Sequence, residues 1–87
     1  MNINKPEILS RMCYTELVYG RINKKLKTQL SKIEIEELLY KLILEKKESC
    51  FERIGKNIYV TNPENRITIT INKNTIRIIT VDYVKEQ

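Results

Sequence analysis

The stretch RITITINKNTIRIITV, residues 66–81, decides the fold. Isoleucine alternates with arginine, threonine or asparagine on both sides of a short polar break, and a period of two puts successive side chains on opposite faces of a strand. The spacing predicts a β-hairpin turning at Lys73–Asn74, with Asn72 opposite Thr75, Ile71 opposite Ile76 and Ile69 opposite Ile78. One face must enter a core. The other carries Arg66, Thr68, Thr70, Asn72, Thr75 and Arg77.

Working upstream, the same period runs through CFERI (50–54) and NIYVT (57–61), so four strands are expected: 50–54, 57–61, 66–72 and 75–84. Gly55–Lys56 and Asn62–Asn65 separate them with recognised turn chemistry. A four-residue turn at 62–65 pairs Val60 with Ile67 and Ile58 with Ile69. Both registers set apolar opposite apolar, and a one-residue slip would break the match. The expected apolar face is Ile58, Val60, Ile67, Ile69, Ile71, Ile76 and Ile78.

Before residue 50 the period is helical. Pro6 suits a first helical turn, where its missing N–H costs nothing. Ile8, Leu9, Met12 and Cys13 follow at helical spacing, and Thr15 is a cap candidate for TELVYGRINKKL, with Leu17, Val18, Ile22 and Leu26 inward. This region is either two short helices or one bent near Tyr14. SKIE, residues 31–34, is a capping box, with Leu30 and Ile35 placed as a hydrophobic staple. Ile35, Leu38, Leu39, Leu42 and Ile43 then make an amphipathic face for a helix over 31–46. The fold class that buries both stripes is α+β: N-terminal helices packed on one face of a four-stranded antiparallel β-meander. One domain is expected over residues 1–87, helical over 6–47 and a meander over 50–84.

The 87 residues carry a formal charge of +5, from 16 basic and 11 acidic side chains. A basic excess favours polyanions or acidic partners without choosing among them. The start MNINKPEILSRM lacks the apolar run of a signal peptide, and no apolar run approaches the roughly 20 residues that span a bilayer, so a cytoplasmic protein with no membrane partner is expected. Cys13, read as part of a helical stretch, and Cys50, read as the start of a strand, are expected to be reduced and partly buried.

Histidine is absent, and two distant cysteines alone make a zinc site improbable. With only Gly20 and Gly55 there is no glycine-rich phosphate loop, and no cofactor is implied. The expected registers put Tyr59 beside Thr68, and Asn57 beside Thr70, which lies beside Arg77; Arg66 and Thr61 form the next row, and Lys56 stands at the edge. Arginine forks match phosphate oxygens, and an aromatic ring is a platform for a base. The plainer alternative is a solvated face, because threonine is a good strand former and antiparallel sheets commonly wet one side. An enzyme built here would have to work with Glu16, lysine, arginine, tyrosine and threonine, a set that can cleave RNA by orienting the 2′-hydroxyl and stabilising the phosphorane.

TELVYGRINKKL, GKNIYVTN, ITITIN and TIRIITVD resemble the domain of unknown function 3781, a family of small bacterial proteins, over about Thr15 to Asp82. The resemblance implies no activity. In layout alone the chain is also similar to toxin-type ribonucleases of the barnase–colicin–RelE kind, which set helices against a four-stranded sheet. That likeness implies Arg21, Lys56, Tyr59, Thr70, Arg77 and Thr80 as candidates, although the expected register turns Thr80 toward the helices. The leading expectation is a basic binding module for RNA or another phosphate-rich partner, in a toxin, defence or mobile-element setting. Its site candidates are Arg21, Lys56, Tyr59, Arg66, Thr68, Thr70 and Arg77. The alternatives are a ribonuclease-like enzyme without histidine, and a protein-interaction module. The latter would bind an acidic protein or pair as a homodimer through a strand edge or the Tyr14–Tyr19 patch.

Overall fold

The computed structural model describes residues 3–84. These form α1 (Lys5–Arg11), α2 (Glu16–Leu26), α3 (Lys32–Leu44), a 3-10 turn at Glu48–Cys50, and strands β1 (Phe51–Ile54), β2 (Asn57–Asn62), β3 (Ile67–Asn72) and β4 (Ile78–Tyr83). The strands lie in the order β1-β2-β3-β4, all antiparallel, so the fold is the expected α+β meander.

Each helix starts where its sequence says it should. Asn4 accepts from the Glu7 N–H and Pro6 occupies the first turn of α1. The capping box of α3 is complete, with Ser31 accepting from the Glu34 N–H and Glu34 accepting from the Ser31 N–H. Ile35, Leu39, Leu42 and Ile43 are buried, and Leu30 packs against them as the staple requires. The last turn of α3 is closed from outside: Lys5 Nζ donates to the carbonyls of Leu44 (2.6 Å) and Lys46 (2.5 Å). A cation there satisfies orphan carbonyls and matches the negative end of the helix dipole.

The helical stretch before α3 is two helices. Between them Cys13 leaves the helix and forms a parallel bridge to Arg77, with its N–H on Ile76 O (3.1 Å) and its carbonyl receiving Ile78 N–H (2.9 Å). Cys13 is therefore exposed and non-helical, contrary to expectation, because its backbone is drawn to the β4 side of the sheet. Cys50 lies in the 3-10 turn instead of starting β1, and both thiols are free. Leu17, expected inward, is 84% exposed, since Val18, Ile22 and Leu26 already define the buried face of α2.

All seven residues of the expected apolar sheet face are buried, and they join the helices in one core cluster. Both registers nevertheless differ from expectation. In the first hairpin Val60 pairs with Ile69, Ile58 with Ile71, and Asn62 with Ile67. The four-residue turn is Pro63–Arg66, one position later than the sequence suggests, because Asn62 is drawn fully into the interior. Its side chain donates to Leu42 O (3.2 Å) and accepts from Asn65 N (3.2 Å) and Asn65 Nδ2 (3.0 Å). Arg66 closes the turn at φ 59°.

In the second hairpin Ile71 pairs with Ile78 and Ile69 with Val81. The Lys73–Asn74 turn widens because Asn72 Oδ1 accepts from Asn74 N (2.8 Å) and Thr75 N (3.0 Å), and Ile76 swings to φ 55°. A register shift at Thr70/Ile71 leaves Ile79 without an opposite residue. Such a bulge reverses which face each later side chain meets. Val81 thus enters the core and Thr80 turns to the polar side, the reverse of the expected placement.

Candidate functional site

The observed registers rebuild the polar face. One row crosses the whole sheet as Glu52, Tyr59, Thr70, Thr80. A second runs Thr61, Thr68, Asp82, and a third pairs Asn57 with Asn72. Tyr59 therefore lies beside Thr70 instead of Thr68, Asn57 beside Asn72 instead of Thr70, and Thr70 beside Thr80 instead of Arg77. These rows satisfy themselves. Thr61 and Thr68 share a hydroxyl contact at 3.4 Å, Asn57 Nδ2 reaches Tyr59 Oη at 3.4 Å, and Thr70 is buried. Their charged members are acidic, Glu52 on β1 and Asp82 on β4.

The cations stand around this face. Lys56 is in the β1–β2 turn and its carbonyl accepts from Lys73 N (2.9 Å). Arg66 is in the β2–β3 turn, not in a strand row, and its carbonyl accepts from Val84 N (2.8 Å). The two turns flank opposite ends of β2, about 20 Å apart at ~3.3 Å per residue, too far to act on one phosphate.

The residues that come together are Arg21 and Arg77. Both line an open groove with Thr15, Leu17, Val18, Ile78 and Ile79. Arg77 is exposed between buried Ile76 and Ile78, at the isolated bridge to Cys13 just before β4. Arg21 also borders a second groove formed with Lys24, Lys25 and Thr80. Arg21, Lys24 and Lys25 occupy positions i, i+3 and i+4, one face of α2. Lys25 pairs with Asp82 at 2.9 Å, both half exposed, while Arg21, Lys24 and Arg77 have no ion pair among the described residues. Lys24 and Lys25 were missing from the expected site, although the spacing of RINKK on a helix was a readable signal. Thr80 joins them because the bulge turned it there.

Glu16 and two of the tyrosines that an RNA-cleaving site could draw on are otherwise engaged. Glu16 is ion-paired with Lys32, whose ammonium also sits 5.4 Å from the Tyr19 ring centroid. Tyr19 donates to Glu36 at 2.6 Å, and this bond, followed by burial, pushes the phenol up to about 12. Tyr14 stacks on Tyr19 with ring centroids 5.4 Å apart, and burial, reinforced by Glu36, raises its phenol as well. Both phenols stay protonated at neutral pH, so neither serves as a base. Among the described residues no group of three or more His, Cys, Asp or Glu side chains could hold a metal ion. No helix among them is long and apolar enough to cross a membrane.

The chain belongs to the family described as protein of unknown function (DUF3781), whose family model matches residues 7–82. That span takes in α2, the sheet up to Asp82 and every cation of the two grooves. Comparison with curated proteins and with solved structures found no match.

Proposed function

We propose that this protein is a small cytoplasmic binding module that holds a phosphate-rich partner, single-stranded RNA in the first instance, along α2 and the start of β4. The observation that carries this reading is Arg21, shared by two adjoining open grooves whose lining includes Arg77, Lys24, Lys25 and Thr80 and, among the described residues, no carboxylate. A run of cations beside a wet groove fits a backbone that brings one charge per nucleotide. Thr80 links the grooves to the row that leads through Thr70 to Tyr59. Two strand spacings, about 10 Å, separate Thr80 from Tyr59, so a base could stack on the phenol while neighbouring phosphates meet α2. Arg66 and Lys56 lie outside this path and have peripheral parts in it.

A fluorescence titration of labelled single-stranded RNA at two salt concentrations tests the reading. Arg21→Ala with Arg77→Ala should weaken binding and lower the salt slope by roughly two, since each lost phosphate contact removes one released counterion. Tyr59→Ala should weaken binding by about 1–3 kcal/mol with the slope unchanged. Equal, weak binding by wild type and the double variant would reduce the charge to a solvated surface. If wild type cleaves RNA and Arg77→Ala binds without cleaving, the ribonuclease-like reading takes over.

A further inference from the structure

The outward side of α3 is apolar. Ile33 is 68% exposed, Leu44 51% and Tyr40 44%. At 3.6 residues per turn these three and Glu37 fall within an arc of about 60°, opposite the buried Ile35, Leu39, Leu42 and Ile43. A helix that is apolar on both sides has a second surface to cover. Nothing among the described residues covers it.

We propose that this stripe is the seam of a homodimer in which α3 packs antiparallel on α3 of a second copy. The pattern is complementary to itself. With the twofold axis at the middle of the helix, Ile33 of each copy meets Leu44 of the other, and the two Tyr40 rings meet near the axis. Glu37 and Lys41 lie on the same flank of the stripe, four residues apart and centred on that axis, so each Glu37 faces Lys41 of the second copy. Neither has an ion pair among the described residues, so both are available for this contact. Packing the helices in parallel would instead bring Glu37 toward Glu36 of the second copy, setting like charges together. A twofold interface requires one patch to complement itself, and the antiparallel register meets that requirement in both shape and charge. Stable interfaces bury about 1,200–2,000 Å² in total. A helix of 13 residues, about 20 Å long and ~10 Å wide, offers only a few hundred Å² per copy, below that range, so the dimer is weak and forms and dissociates with concentration.

Sedimentation equilibrium from low micromolar to near-millimolar protein tests this. Wild type should pass from monomer to dimer. Glu37→Lys and Lys41→Glu alone should each raise the dissociation constant about tenfold or more, because both turn two attractive contacts into repulsions. Mixed in equal amounts, the two variants should associate at least as well as wild type, since each supplies the charge the other lacks. Ile33→Gln with Leu44→Gln should abolish association while leaving the monomer's melting temperature nearly unchanged, as both side chains are largely solvent-exposed. The proposal is overturned by a wild type that stays monomeric throughout. It is also overturned by a dimer that survives the double glutamine variant, or by a mixture no more associated than its components.

Discussion

The first hairpin turns through Pro63–Arg66 and keeps an unbroken ladder from Asn57↔Asn72 to Asn62↔Ile67. The second turns through Lys73–Arg77 and carries the unmatched Ile79 in β4. Both turns hold a non-glycine residue in the left-handed region, Arg66 at φ 59° and Ile76 at φ 55°. They differ in what pulls on them. The first is fastened from the core by Asn62, which donates to Leu42 O of α3, and at its exposed tip by the ion pair of Glu64 with Lys46, just past the end of α3, which raises the lysine and lowers the carboxyl. The second is pulled sideways by Cys13, whose backbone takes the hydrogen bonds of Ile76 and Ile78. The turn anchored by a side chain on α3 keeps its register, whereas the one whose backbone is recruited by the segment between α1 and α2 is followed by a bulge.

The largest expected effect tests what the two hairpins share. Ile69 is fully buried and pairs with Val60 in one and Val81 in the other. Ile69→Ala should cost about 2–4 kcal/mol in urea unfolding. A loss below ~1 kcal/mol would mean that the two ladders do not share one packed face.

The two left-handed residues sharpen the contrast. Ile76 is 3% exposed, and its branched side chain fills the core from a conformation that costs it about 1–2 kcal/mol. Ile76→Gly removes that strain but also the packing, so a net loss of about 1–3 kcal/mol is expected. Arg66 is exposed, so Arg66→Gly relieves the left-handed backbone without opening a cavity in the core, and it should shift the unfolding midpoint less than Ile76→Gly does. If Arg66→Gly costs as much stability as Ile76→Gly, the difference drawn between the turns is wrong.

The smallest effect is a pH dependence. Tyr19 on α2 donates to Glu36 on α3, and its pKa rises from 10.0 to about 12. A pKa raised by folding means that the folded state holds the proton more tightly. The contribution is complete below pH 10.0 and is lost as pH climbs toward about 12. Alkaline melts should show wild type losing stability across that window while Tyr19→Phe stays flatter. Because α2 packs on β4, amide exchange in β4 should accelerate there before that in β2.

Much of this architecture is written in period and punctuation. The alternation from Ile58 to Ile78 identifies the buried face, and Ser31 with Glu34 marks the start of α3. A register error of two residues in the first hairpin leaves every face intact, which is why the apolar assignments hold although the partners differ. What escaped was carried by backbone contacts across long sequence separations. The Cys13–Arg77 bridge has no side-chain signature, and without it the turn after β3 reads as a two-residue hairpin. The doublet Ile78–Ile79 was the one visible hint, since two adjacent isoleucines cannot both face the core of a regular strand. The candidate site suffered from the same error. Threonines and an arginine assigned to one polar row are split between a self-satisfied sheet face and a basic edge formed with α2.

The bridge from Cys13 to Arg77, together with the packing of α2 on β4, also sets the order of assembly as the chain is made. α2 is synthesised before α3 and the sheet, yet its principal partner is β4, the last strand of the meander. Until β4 has left the ribosome, Val18, Ile22 and Leu26 lack their main native partner, with only α3 to meet. Native closure must wait for β4, about fifty residues beyond α2, and contacts of such wide separation make for slow folding. During that interval the basic helix and its uncovered apolar side are exposed to the cell together, an interval in which a chaperone has something to hold.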